Sequence, residues 1–363
     1  MNNPLKTIDK IHTRLEEYNA YYYGYQGDVV FKFNQTFFVQ QLLSVVKLSD
    51  LKVLLKLNFS WLGPLINAPH YDSFSIPKKS GGMRKIEAPE VLLRATQARF
   101  NFYLQHYYHL VRPEGVFGFV INPNKKESFC NIVENAKLHV HKKYVLNLDL
   151  EDFFSSIKAY RVKALFQSEY FRYTEEVANA LALLVTYNGT LPTGAPTSPV
   201  ISNFICLQLD AMLLAYCNEN ALHYSRYADD LTFSSDREIT TLHLEELSKI
   251  IHSNHFTINS KKTRLRLHHR KQTVTGLIVN EKVNVDRKTI KMVRAMLYDA
   301  LQNGVSKAAK KHFSITKETS QMSDTYFLNR LEGYINFIAQ VRGKEDAMVQ
   351  KFKEEFKMVH LLS

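Results

Sequence analysis

Several things are scarce in this 363-residue sequence: tryptophan (one residue), cysteine (three) and acidic side chains relative to basic ones. The thiols, Cys130, Cys206 and Cys217, cannot pair completely and lack metal-knuckle spacing, so neither a disulfide scaffold nor a cysteine metal site is indicated. They suit a reduced, intracellular setting, and polar Asn2, Asn3, Lys6 and Asp9 at the start argue against an export signal. The longest uncharged stretch, Val177 to Leu209, is broken by Gly189, Pro192, Gly194, Pro196 and Pro199, which excludes a membrane helix. No internal repeat or low-complexity linker is present, so solenoid and disordered-tail classes fall away. Acids number 35 against 47 Lys and Arg, a net charge of +12. That balance favours polyanionic partners, nucleic acid ahead of an anionic membrane.

What is there is apolar bulk and rings: 45% hydrophobic residues, with 20 Tyr and 23 Phe. The basic excess is local. Between Lys261 and Lys311 fourteen Lys and Arg face three acids, a surplus of +11. Residues 1–60 read mostly as helix, with Ser49 or Asp50 as a candidate cap. Residues 71–90 read as strand, Gly-Gly turn and strand, a hairpin with a basic tip. Residues 91–110 and 240–253 read as helices, and 151–187 as helical throughout. A short apolar strand, Tyr144 to Leu150, contains Asp149 near its end. A Pro/Gly-rich loop at 191–199 opens an apolar helix to about Cys217. Two β segments flank Asp229-Asp230, and Val274–Val285 reads as a second hairpin turning near Asn280-Glu281. Helix-rich ends around a β-rich centre imply an α+β fold.

The chemistry is expected from Asp149, Asp229 and Asp230. Acids are poor strand formers, and burying them is costly unless a cation or hydrogen bonds compensate. An Asp-Asp pair alone more often marks a turn or a helix start. Set in RYADDLTFSS, with a strand-borne Asp eighty residues upstream, it reads as part of a carboxylate trio. Two Mg²⁺ ions suit such a trio, because this hard cation takes carboxylate and phosphate oxygens. Ions about 3.5–4 Å apart can activate a hydroxyl and stabilise a leaving pyrophosphate.

With those residues in view the sequence resembles a reverse transcriptase. Tyr227-Ala228-Asp229-Asp230 resembles the family's Y-x-D-D box, and Asp149 with Phe153 and Phe154 its first palm motif. Leu191 to Pro199 resembles the loop beneath the incoming nucleotide, Asn259 to Thr263 the N-x-x-K-T motif, and residues 71–90 the fingers hairpin. Asn135-Ala136-Lys137-Leu138-His139 and Val274-Thr275-Gly276 are similar to the N-A-x-x-H and V-T-G elements of bacterial retron enzymes. The resemblance implies a right-hand polymerase: an N-terminal helical segment at 1–60, then fingers at 61–143 with parts of 155–190. A palm of antiparallel sheet and helices follows at 144–285, and a helical thumb at 286–363. Thr193 stands where many relatives have Gln, so fewer contacts to the nucleotide are expected there.

By the same resemblance, Asp149, Asp229, Asp230 and the Leu150 carbonyl would hold the metals. Phe154 would crowd a ribose 2′-hydroxyl and favour dNTPs. Asp152, Thr193, Gly194 and Lys262 would contact the nucleotide, with Gly194 allowing close backbone approach. Lys78, Lys79, Arg84 and Lys85 flank the fingers turn, and at least one should reach the triphosphate, Arg84 ahead of Lys85. Asn135, His139, Val274, Thr275 and Gly276 would contact RNA. Lys288, Lys291 and Arg294 recur at helical spacing, suited to a phosphate backbone. The implied partners are a cognate retron non-coding RNA, the DNA copied from it, and a separately encoded effector protein in antiphage defence. The implied location is the bacterial cytoplasm, with no membrane partner. The rivals are a defence or abortive-infection reverse transcriptase without a retron RNA, and a non-catalytic RNA-binding scaffold.

Overall fold

The computed structural model describes residues 35–58, 60–78, 81–121, 130–313 and 320–361. The expected helices before residue 35 and the side chain of Lys79 lie outside the described residues. In chain order come α1 (Gln35–Leu43), α2 (Leu48–Leu55), α3 (Leu62–Asn67), β1 (Tyr71–Pro77), β2 (Met83–Pro89) and α4 (Val91–Val111). Next are α5 (Ile132–Lys137), β3 (Tyr144–Asp149), α6 (Phe153–Ser156), α7 (Ala159–Gln167), α8 (Glu175–Val185), α9 (Ser198–Ile205) and α10 (Leu207–Glu219). Then follow β4 (His223–Tyr227), β5 (Asp230–Ser235), α11 (Thr241–Ser253), β6 (Arg264–Leu267), β7 (Thr273–Val274) and β8 (Leu277–Ile278). The C-terminal helices are α12 (Arg287–Asn303), α13 (Val305–Phe313), α14 (Ser320–Arg342) and α15 (Ala347–Leu361). Among the described residues no single helix is long and apolar enough to cross a membrane.

Four strands form one sheet in the order β4-β5-β3-β6, and β1-β2 and β7-β8 are separate antiparallel pairs. The chain divides into two compact units. The first holds residues 1–130, 147–233 and 239–264, and the second 131–146, 234–238 and 265–363.

An aromatic core organises the first unit. Tyr107, Phe171 and Phe204 have ring centroids 5.2–5.4 Å apart, and Tyr107 meets Phe171 edge to face at 89°. Such pairs add about 0.5–1.5 kcal/mol beyond the burial of their area. The β1-β2 hairpin is anchored at its base. Gln97, fully buried on α4, donates to the Tyr71 hydroxyl and to the Leu184 carbonyl, both at 2.8 Å. Tyr71 also stacks on Tyr187 with centroids 4.3 Å apart. The second unit packs the apolar stripe of α12 (Ile290, Val293, Met296, Leu297, Ala300) with Phe327, Leu331 and Ile335 of α14 and Val349 and Phe352 of α15.

Several expectations need correction. The helix predicted over 151–187 is three helices, broken by extended backbone at Ile157-Lys158 and again between Gln167 and Glu175, where Arg172 is left-handed. The cap of α2 is Lys47, and Asp50 instead sits in the first turn, its Oδ2 accepting from the Val46 and Lys47 amides at 3.1 Å. The second hairpin turns at Thr275-Gly276, where φ is +46° and +82°, and not at Asn280-Glu281. Paired positive φ values match the tight two-residue turn of adjoining strands. The apolar helix after Pro199 bends by 49° between α9 and α10.

Candidate active site

Strand pairing brings the carboxylates together. β5 lies beside β3, and the Leu150 amide donates to the Asp229 carbonyl at 3.0 Å. Asp149 closes β3, while Ala228 and Asp229 form the two-residue loop between β4 and β5. The turn after Asn259 then delivers a cation. The Asn259 amide donates to the Asp149 carbonyl at 2.8 Å, and the Lys262 amide folds back onto the Asn259 carbonyl at 3.0 Å. Lys262 Nζ consequently lies 2.8 and 2.9 Å from the two carboxylate oxygens of Asp149.

Electrostatics mark the trio as a shared site. Burial, then the charges of Asp229 and Asp149, push the Asp230 carboxyl up to about 7. Burial foremost raises Asp229 too, with Asp149 adding to the rise and Lys262 and Arg84 opposing it. The Lys262 ammonium is raised, first by its hydrogen bond to Asp149. A set of crowded carboxylates that already draws an ammonium onto both oxygens of one member fits a divalent cation. Asp149, Asp229 and Asp230 are the side chains able to hold it.

The other expected site residues surround this trio to differing degrees. Arg84 is the hairpin cation whose charge reaches Asp229, whereas Lys85 is paired with Glu87 at 2.7 Å. Phe154 is half-buried and stacks on Phe119 at 5.9 Å, while its neighbour Phe153 is the core ring. Asp152 is exposed with a positive φ and makes no side-chain cap for α6. The Thr193 carbonyl accepts from the Glu87 amide at 2.8 Å, joining the 191–199 loop to β2. Gly194 does permit a close approach, but to protein: a Cβ there would lie 2.7 Å from the Glu87 carbonyl oxygen.

In the second unit, Lys288, Lys291 and Arg294 share the exposed face of α12. Asn135, His139 and Val274 are buried, and His139 Nδ1 lies 2.7 Å from Ser234 Oγ. In the same group Gly276 is exposed, while Thr275 is half-buried and its hydroxyl donates to the Ile132 carbonyl at 3.3 Å.

Sequence reasoning missed the support beneath the Asp229 loop. Arg226 and Asp210 have fully buried side chains and meet twice, Nη2 to Oδ2 at 2.6 Å and Nε to Oδ1 at 2.7 Å. Tyr224 donates to Asp210 Oδ1 at 2.7 Å. Arg226 Nη1 donates to Asn203 Oδ1 at 2.9 Å and to the Ala228 carbonyl at 3.2 Å. Ala228 has φ +60°, a strained conformation for a non-glycine residue, and this bond helps hold it. Gly118 underlies the same loop: a Cβ there would sit 2.3 Å from the Ala228 nitrogen. The signal was available. Asp210 is the lone charge between Leu207 and Cys217, and Arg226 is a charge inside a strand pattern.

Residues 76–284 match the family model described as reverse transcriptase (RNA-dependent DNA polymerase). The retron Mx65 reverse transcriptase of Myxococcus xanthus is 34% identical over 263 residues, covering 67% of this chain and 59% of that protein. The retron Ec86 reverse transcriptase of Escherichia coli is 37% identical over 174 residues, covering 47% of this chain and 54% of that protein. The chain thus spans little more than half the length of these curated relatives. Among solved structures, the telomerase of Candida albicans aligns over 81% of this chain and 64% of its own at 8% identity and a TM-score of 0.45.

Proposed function

The chain belongs to the reverse transcriptase (RNA-dependent DNA polymerase) family, with a right-hand polymerase fold, and on that footing we propose that it is a retron-type enzyme copying RNA into DNA. The observation that carries this reading is the carboxylate trio: Asp149 grips the Lys262 ammonium with both oxygens, and its charge adds to the burial that raises Asp229 and Asp230. Asp149, Asp229 and Asp230, with the Leu150 carbonyl, would bind two Mg²⁺ ions. Bound there, the ions would activate the attacking hydroxyl and offset charge on the leaving pyrophosphate.

The chain's own residues supply the rest. Lys262 keeps its proton at Nζ while it faces Asp149, and with that carboxylate occupied it is released to pair with or protonate the pyrophosphate. Arg84 on the fingers hairpin reaches the triphosphate, and Lys85, held by Glu87, is secondary. Phe154, braced by Phe119, excludes a 2′-hydroxyl. Thr193, Gly194 and Asp152 complete the nucleotide pocket. Thr275, Gly276, Lys288, Lys291 and Arg294 contact the RNA, through stacking, 2′-hydroxyl and phosphate interactions. We assign 1–60 to an N-terminal segment, the fingers to 61–143 with parts of 155–190, the palm to 144–285 and the thumb to 286–363. The partner is a cognate structured non-coding RNA, primed from one of its own 2′-hydroxyls, and antiphage defence with a separate effector follows from the retron likeness.

Asp229→Ala should abolish Mg²⁺-dependent primer extension while leaving RNA binding intact. Sequencing nucleic acid that co-purifies with the protein should return one RNA species joined to DNA. Normal extension by the variant would remove the two-metal assignment, and bound RNA without any DNA would favour a scaffold.

A further inference from the structure

Three metal-ligand side chains that the polymerase chemistry does not use meet in the second compact unit. His141 Nδ1 lies 3.5 Å from Glu281 Oε2, and His268 Nε2 lies 3.5 Å from Glu281 Oε1. One ligand atom from each residue falls within 4.8 Å of the other two. A tetrahedral ion with bonds of about 2.0–2.1 Å needs ligand-to-ligand edges of roughly 3.3–3.4 Å. The two histidine–glutamate distances are close to that length but run to different oxygens of Glu281, so the carboxylate would ligate through both oxygens or the imidazoles would close onto one.

Hydrogen bonds pin the backbone segments that carry the three side chains. His141 has φ +61°, and its amide donates to the carbonyls of Val279 and Asn280, each at 3.2 Å. The His268 amide donates to the Lys143 carbonyl at 2.9 Å. The Asn280 side chain bridges the segments, donating to the His268 and Arg270 carbonyls at 2.7 and 2.8 Å and accepting from the Gln272 amide at 3.0 Å. The Asn280 carbonyl oxygen also sits 3.2 Å from His268 Nε2, a further oxygen at the edge of the site.

We propose that His141, His268 and Glu281 bind a transition-metal ion such as Zn²⁺, with water or the Asn280 carbonyl in the remaining position. Two imidazoles and one carboxylate select a borderline ion over Mg²⁺, which prefers oxygen donors and keeps its water. The ion ties the loop after α5, the 268–272 connection and the segment after β8 into one support. Two of those segments flank the β7-β8 hairpin, where the Val279 amide just after β8 donates to the Gln272 carbonyl just before β7 at 3.2 Å.

The full chain, stripped with a chelator and then held in saturating Mg²⁺, is titrated with Zn²⁺ alone and with Co²⁺ alone. The wild type should show an intense tetrahedral Co²⁺ absorption that Zn²⁺ displaces, and its melting temperature should rise with Zn²⁺. His141→Ala and His268→Ala should each weaken Zn²⁺ binding about a hundredfold, and the double variant should hold one Zn²⁺ fewer per chain. His269→Ala, an exposed neighbouring histidine, should bind as wild type does. An unchanged Zn²⁺ count in the double variant, or no stoichiometric uptake by the wild type, overturns the proposal.

Discussion

Removing either partner of the buried Arg226–Asp210 pair should destabilise the protein, with a pH dependence in one case and none in the other. Asp210→Asn keeps the shape and deletes the charge. It leaves a guanidinium with no exposed surface and no counter-ion, a situation that costs about 3–5 kcal/mol. At 1.4 kcal/mol per decade that is a loss of roughly 10² to 10³ in the folding constant. A guanidinium cannot shed its proton in this range, so the deficit should be the same at pH 5.5 and pH 8. Arg226→Met leaves Asp210 with the Tyr224 hydroxyl as a remaining donor. This carboxyl can escape by protonation, so in the variant its folded pKa lies above the unfolded value of about 3.9. The ionisation penalty is absent below that value. It grows by about 1.4 kcal/mol per pH unit as pH rises, levelling off above the raised pKa. Urea unfolding at pH 5.5, 6.5 and 8, each variant measured against wild type at the same pH, gives both gaps. A flat gap for Asp210→Asn and a widening one for Arg226→Met are expected. If Asp210→Asn lies within about 1 kcal/mol of wild type, or the Arg226→Met gap ignores pH, the buried-pair argument fails.

Gly118→Ala places a methyl against the Ala228 backbone, so kcat for primer extension should fall by about a hundredfold with a smaller change in the dNTP KM. Gly63→Ala, which meets nothing within 4 Å, is the matched control, and equal loss in both would refute the close-approach argument. Phe154→Ala should raise ribonucleotide incorporation by roughly tenfold or more, read by single-nucleotide extension; unchanged discrimination would remove the gate. Because Asp230 is raised to about 7, protons compete with Mg²⁺ below that pH, and apparent Mg²⁺ affinity should drop by up to about tenfold per unit. The same raised value means the chelated protein loses stability as pH climbs toward 7, with Mg²⁺ restoring it; melting curves at pH 6 and 8 that do not differ would contradict this.

The parts legible in the sequence are those written locally. The 71–90 hairpin declared itself through alternation and Gly81-Gly82, and the strand ending at Asp149 through a short apolar run. The Asp229 loop was visible because a two-residue break separates two β-forming segments. What the sequence hid depends on distant partners. Gly194 was free to serve any close neighbour, and only the packing of β2 against the 191–199 loop decides that the neighbour is Glu87. His139 was legible only as part of an RNA-contacting element, and its hydrogen bond to Ser234, ninety-five residues later, is not written locally. The Thr275-Gly276 turn was missed because a β-branched residue at positive φ is disfavoured, while Asn280-Glu281 looked better suited and instead serves as a hydrogen-bonding bridge.

The adjacency of β3 and β5 also sets a schedule. Their acids are separated by eighty positions, and Lys262 comes later still, so a nascent chain has no reactive centre until most of it has left the ribosome. Such distant pairings assemble slowly compared with neighbouring helices. Products that end before Lys262 would lack part of the carboxylate–lysine cluster, whatever else of them folds.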